Sequence, residues 1–443
     1  MKAQGARLPM KRAPSSHAGK HMNIKIGLES EVSGCFDNAG KMKFEDAVEA
    51  AIRCAIPVSQ TERVALLRAA GRILAGDVGA PVPLPRFDHS AMDGFAVRTR
   101  SFDGPGPWNA RIESVIAAGS SGSRSVPEDH AAVEIYTGAP IPYGFDAVMT
   151  RESCVRADGK IAFHVAPTPG LNIRKAGEDI VDGEVAVTDG SVVTPHIAAL
   201  LAGLGIREIE VRPKVRVAFF STGSELRQPG ERLQDGQLYD SNRYMVTAML
   251  ALPWIDFTDL CHLDDNLDMI AQCLADASNQ FDVVIASGGM SHGGADFMRQ
   301  ALIANGGELS VSSVLMRPGK PGVIGRVSNA LFIGLPGNPM AAAVVLEQIG
   351  LPALRATGGM RLHRSPCHSA IAGFELTKRE GRTEFVPVRV IGENDIGLPV
   401  LAKLGRGSSG SLSPMAQGDG IALLEPKTTC VSTGQAVQFY PFG

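Results

Sequence analysis

In the second half of the chain, short runs of small residues end apolar stretches and are followed by acids. In "STGSEL", Ser221, Thr222 and Gly223 precede Glu225; in "SGGMSHGGADF", Ser287, Gly288, Gly289 and Ser291 precede Asp296; "LDDN" adds Asp264. Small residues let backbone N–H groups approach an anion with no side chain in the way. A carboxylate beside bound phosphate is repulsive unless a cation lies between them. "RPGKPG" supplies Arg317 and Lys320, and in "GLPGNP" Pro339 can open a helix, leaving Gly337 and Asn338 near its positive end. Glycine cradles, two cations and three acids make a site for a phosphorylated ligand with a divalent ion. Mg²⁺ is the natural choice, held by Glu225, Asp264 and Asp296 together with waters and phosphate oxygens. Taken alone, the "SGGMSHGGADF" run reads equally as a tight turn with a helix cap.

The elements that must position these loops follow from the apolar pattern. From about 212 to 360 the chain repeats strand, glycine loop, helix, with continuous apolar runs such as "VRVAFF", "DVVIA" and "LFIGL". Such runs mark parallel strands covered on both faces, and ligands of doubly wound sheets bind where loops leave the strands' carboxyl ends. Upstream, "KFEDAVEAAIRCA", "TERVALLRAAGRIL" and "TPHIAALLAGLG" read as helices, while "RIESVIAAG", "AAVEIYTG", "DAVMTRESC" and "KIAFHVAP" read as strands of a β-rich insertion. After about 362, "EFVPVRVI", "LPVLAKL", "GIALLEP" and "QAVQFYPF" read as a small β-barrel. The expected architecture is a multidomain α/β protein: a disordered tail at 1–41, a discontinuous helical and linking subdomain at 42–84 and 176–211, a β-rich subdomain at 85–175, a doubly wound α/β ligand domain at 212–361 and a C-terminal β-barrel at 362–443. Met42 is an equally sensible first residue.

Composition narrows the function classes. A formal net charge of -3 over 443 residues and a pI near 6.4 give no basic field for nucleic acid. The seven cysteines include no C-x-x-C pair, which argues for reduced thiols in the cytoplasm. Among the ten histidines no metal-ligand spacing occurs, so His196 and His262 read as packed or surface residues. No apolar stretch approaches the roughly 18 residues of a membrane span.

"FDHSAMDGFAV", "TGAPIP", "NIRKAGEDI", "STGSEL", "SGGMSHGGADF", "RPGKP" and "GLPGNP", in this order, resemble the molybdopterin molybdenumtransferases, the family of bacterial MoeA and the gephyrin E domain. The resemblance implies a homodimer whose site is shared between chains, Asp93 and Thr137 coming from the partner copy. It implies conversion of adenylylated molybdopterin and molybdate, with Mg²⁺, to molybdenum cofactor and AMP. A molybdopterin adenylyltransferase acts one step earlier and is the expected partner. Carried over residue by residue, the functional positions are Asp93, Thr137, Asp179, Glu225, Asp264, Asp296, Arg317, Lys320, Pro336, Pro339 and Ser408. The chain departs from the family pattern at His89, Phe95, Ser224, Gly294 and Arg317, where Asn, Tyr, Asp, Glu and Lys are common. A scaffold that binds a protein partner, a tungstate-inserting homologue and an adenylyltransferase are the alternative readings.

Overall fold

The apolar runs flanking the glycine loops are strands of one six-stranded sheet. The computed structural model describes residues 36–37, 41–120, 128–290, 297–361 and 364–442. In the sheet the order is Ile255–Leu263, Val215–Thr222, Val283–Ser287, Ala330–Leu335, Val323–Val327, Glu308–Val311. The first three pairings are parallel and the last two antiparallel. Alternate residues of each strand serve opposite cores. Val217, Phe219 and Ile285 pack with Phe44, Val246 and Leu354 on one face; Ala218, Phe220 and Val284 pack with Ile270, Leu274 and Met298 on the other. That two-sided burial is why the runs are continuous rather than alternating.

Strand Val215–Thr222 sends the chain to the Ile255–Leu263 edge, whereas Val283–Ser287 sends it toward the opposite edge. The crevice between their carboxyl ends is therefore the topological switch point, and the loops beginning at Gly223 and Gly288 lie in it.

The C-terminal strands Thr383–Glu393, Pro399–Lys403, His368–Ala372, Ala436–Pro441 and Gly420–Leu424 pair in that order, and the last closes back on the first. This is a closed five-stranded barrel. Met316–Arg317 pairs in parallel with Thr383–Glu384, which carries Arg317 from the α/β region to the barrel's edge. The β-rich sheet runs Cys154–Ala157, Lys160–Phe163, Trp108–Ile116, Ala131–Ile135, Gly94–Val97, Ala147–Thr150.

Two expectations change. The segment "TERVALLRAAGRIL" is not a helix: Glu62–Ala65 is a strand paired antiparallel with Glu208–Val211, followed by a short 3-10 turn at Leu66–Arg68. The ladder supplies backbone partners and sets Val64 against a core of Leu74, Leu201 and Val211, so tertiary pairing overrides helix propensity. Backbone pairing also begins before Met42. Phe36–Asp37 pairs with Lys41–Met42, and the buried Met42 exchanges hydrogen bonds with Ser313 and Leu315. Helix Pro195–Gly203 forms as expected, with Thr194 Oγ1 accepting from the Ile197 amide at 3.2 Å. Among the described residues no helix is long and apolar enough to cross a membrane, and all six cysteines are free.

Candidate functional site

Gly288 is the tightest point of the crevice. At φ +96°, a side chain there would begin 2.2 Å from the Thr222 carbonyl oxygen, so the two loops touch backbone to backbone and only glycine fits. Thr222 is 3% exposed, and its buried Oγ1 has no hydrogen-bond partner. A buried hydroxyl without a partner costs about 1–3 kcal/mol, so the close approach of the two loops is kept against that penalty. Ser221 Oγ donates to Asp240 Oδ2 at 2.5 Å, and Asp240 Oδ1 caps helix Ser241–Met249 through the Arg243 amide. Ser287 Oγ accepts from Asn242 Nδ2 at 2.8 Å. The loops are thus held by uncharged contacts and by one buried carboxylate.

The acids sit on the neighbouring loops. Gly223 N donates to the Leu263 carbonyl, Ser224 N donates to Asp265 Oδ2 at 3.2 Å, and Asp265 N returns a bond to Ser224 Oγ at 3.1 Å. This reciprocal clamp sets Glu225 and Asp264 on adjoining loops, both exposed. An aspartate at 224 would face the Asp265 carboxylate, so serine suits this pairing. His262 is partly buried, and its Nε2 lies 2.7 Å from the Gly223 carbonyl, which only accepts, so Nε2 carries the proton. The third expected metal donor, Asp296, lies outside the described residues, as does Ser291. Among the described residues no three His, Cys, Asp or Glu side chains converge as a metal site. The exposed oxygen donors Glu225 and Asp264 fit a hard divalent ion that keeps several waters.

A second concavity lies between the α/β sheet and the barrel. It encloses about 720 Å³, and its walls include Arg317, Lys320, Pro336, Asn338, Arg382 and Ser408. Lys403 and Arg406 also reach it, as do two acids, Glu375 and Glu384. Arg317 stands 3.7 Å from Glu384; Lys320, Arg382, Lys403 and Arg406 make no ion pair with the described residues. Asn338 does not cap the helix opened by Pro339, since its Nδ2 donates to Ser409 Oγ at 3.0 Å and ties the "LPGN" turn to the Ser408 loop.

Asp93 and Thr137 form a pair elsewhere, on the β-rich region. The Thr137 amide and hydroxyl both donate to Asp93 Oδ1 at 2.8 Å. These bonds, the amide's first, and then the nearby Arg151 hold the exposed Asp93 carboxyl below its ordinary value. Asp93, Thr137 and Asp179 are not among the residues lining the cationic cleft, and among the described residues Asp179 bonds through its amide, to the Leu84 carbonyl.

Sequence reading missed Asp240, Asn242, His262, Asp265 and Arg382. "YDSN" before an apolar run carried a signal, but one that reads as a helix cap rather than as a loop anchor. Arg382 lies in the turn just before strand Thr383–Glu393, with no motif around it.

The family model described as MoeA N-terminal region (domain I and II) matches residues 42–205, that of a probable molybdopterin binding domain matches 218–356, and that of the MoeA C-terminal region (domain IV) matches 369–442. The molybdopterin molybdenumtransferase of Haemophilus influenzae is 37% identical over 388 residues, which cover 87% of this chain and 94% of that protein. Molybdopterin molybdenumtransferase 2 of Mycobacterium tuberculosis is 34% identical over 385 residues, covering 85% and 94%. The crystal structure of a molybdopterin biosynthesis MoeA protein from Pyrococcus horikosii matches with a TM-score of 0.72 at 27% identity, over 91% of this chain and 99% of that one. With all three regions matched in order and identity above one third across most of the chain, the protein belongs to the MoeA family of molybdopterin molybdenumtransferases.

Proposed function

We propose that this protein completes molybdenum cofactor by inserting molybdate into adenylylated molybdopterin, with Mg²⁺-dependent cleavage of the phosphoanhydride and release of AMP. One observation carries the reading. The turn after Leu335 is wall to both concavities: Pro336 and Asn338 line the cationic cleft, while the carbonyls of Pro336 and Gly337 are tied through Asn242 to Ser287 of the glycine crevice. A ligand whose phosphate rests in one can therefore present its other end to an oxyanion in the other.

In this scheme the loops that meet at Thr222 and Gly288, with Gly289, cradle the pterin phosphate. Arg317, Lys320 and Arg382, with Ser408, bind the tetrahedral dianion and hold it by charge and hydrogen bonds. No covalent nucleophile from the protein is needed: water attacks the phosphoanhydride and AMP departs, the two dithiolene thiols bond molybdenum as molybdate oxygen leaves as water, and positioning and electrostatics carry the cleavage. Glu225 and Asp264, with Asp296, would hold Mg²⁺, which supplies neutralisation of phosphate charge when bound. Asp93 and Thr137 would complete the site from a second copy of the chain. The substrate would come from a molybdopterin adenylyltransferase.

The test is AMP release by the purified protein from adenylylated molybdopterin, with molybdate, with tungstate, and with Mg²⁺ removed by chelation. Release that requires an oxyanion and stops on chelation is expected. Tight binding of the pterin with no AMP under any condition would overturn the enzyme in favour of a scaffold.

A further inference from the structure

We propose that Asn242, seated by Asp240, is the positioning residue that sets the spacing of the three ligand loops. The inference deepens the function proposed above and in its affinity arm rests on it. From the first turn of helix Ser241–Met249, the Asn242 Nδ2 group donates to Ser287 Oγ at 2.8 Å, to the Gly337 carbonyl at 2.9 Å and to the Pro336 carbonyl at 3.3 Å. Two residues earlier, Asp240 accepts from Ser221 Oγ of the third loop. One helical turn thus reaches the ends of three parallel strands, each at the carboxyl edge where the ligand is expected.

The orientation of the carboxamide is forced. Carbonyl oxygens only accept, so the nitrogen must face Pro336 and Gly337. Its oxygen is then left buried with no partner, in a residue only 6% exposed. Keeping an unsatisfied acceptor is unfavourable to folding, so the group is held for the three contacts its N–H groups make rather than for general stability. Those bonds fix Ser287 next to the "LPGN" turn, and Gly288 N completes the contact by donating to the Leu335 carbonyl at 3.2 Å.

Asn242→Asp keeps the shape but turns a donor into a carboxylate facing two carbonyls; Asn242→Ala removes the clamp without adding repulsion. If spacing is the role, the isosteric aspartate is the worse of the two, whereas a residue that only fills space would tolerate it better. Two measurements separate the possibilities. In amide hydrogen exchange of the ligand-free protein, Gly288 loses protection in both variants while Val284 and Ile285 in the same sheet do not. In binding of molybdopterin, followed by fluorescence at a temperature where each variant is folded, Kd rises about tenfold for alanine and more for aspartate. Unchanged Gly288 exchange, uniform loss of protection across the sheet, or equal affinity for all three proteins would overturn the inference. If the unaltered protein binds no molybdopterin, the proposed function falls, and the exchange result alone still decides whether Asn242 sets the loops.

Discussion

The glycine crevice and the cationic cleft share the turn after Leu335, yet they are built in opposite ways. In the crevice Ser221, Thr222 and Ser287 are buried, and Ser221, Ser287 and Gly288 each have a named hydrogen-bond partner. In the cleft Lys320, Arg382, Lys403 and Arg406 make no ion pair with the described residues, and the Arg317 side chain is 57% exposed. The crevice fixes position through short contacts that long flexible side chains could not give. The cleft stores charge that repels itself in the free protein and gains value when a dianion enters and displaces water. Under the proposed function, geometry and charge fall to different walls of one site, and substitutions on the two walls should fail differently.

The largest effect is expected from Gly288→Ala. The new methyl would overlap the Thr222 carbonyl in a left-handed backbone, so stability should fall by about 3 kcal/mol and molybdopterin binding should be lost. Urea denaturation measures the first and fluorescence titration the second. A loss below about 1 kcal/mol, at the lower edge of overpacking costs, would mean that the loops can part and that the crevice is not the rigid wall.

Arg382→Gln should do the reverse. Folding stability should stay within about 0.5 kcal/mol, as for surface changes without buried partners. Molybdate affinity, measured calorimetrically, should fall by about tenfold to a hundredfold, the worth of a hydrogen bond to a charged group. A drop in melting temperature with affinity intact would place Arg382 in the scaffold instead.

Salt sharpens the same division. Raising ionic strength from about 0.05 M to about 0.5 M shortens the screening length severalfold. Molybdate binding should weaken in the unaltered protein and weaken less in Arg382→Gln, while the unfolding midpoint moves little in either. Salt-insensitive oxyanion binding would assign the dianion to the crevice.

Much of this division was legible in the sequence, and the illegible parts share a cause. The runs around Phe219, Ile285 and Ile333 are buried on both faces, so their pattern alone named parallel strands and put Gly223, Gly288 and Gly337 at the carboxyl edge. Local composition likewise exposed Arg317 and Lys320. Asn242, by contrast, acts on Ser287 at a separation of 45 residues and on Pro336 at 94, and no local pattern encodes that reach. Arg382 joins Arg317 only because Met316–Arg317 adds to the barrel strand beginning at Thr383. Residues 62–65 misled for the same reason: their partner strand lies at 208–211. The Asp93–Thr137 pair was found through family resemblance, and the structure supplies its chemistry, one oxygen accepting two bonds.

That pair yields the smallest and most specific expectation. Thr137→Val removes the hydroxyl bond and leaves the amide bond, so the Asp93 carboxyl should move back up toward its ordinary value of 3.8 without reaching it. The sign follows from linkage. A carboxyl depressed by folding stabilises the native state above its unfolded value, and that contribution is lost as pH falls through the lower folded value. The variant should therefore lose a little stability at neutral pH and nothing at pH values below both titrations. The crevice contacts of Ser287 and Asn242 involve no titrating side chain and should show no such dependence. Carbon-detected NMR of the Asp93 carboxyl, with urea denaturation at neutral and acid pH, measures both halves. An unmoved titration would mean that the amide bond and Arg151 alone set Asp93, and that the Thr137 hydroxyl is free to meet a ligand.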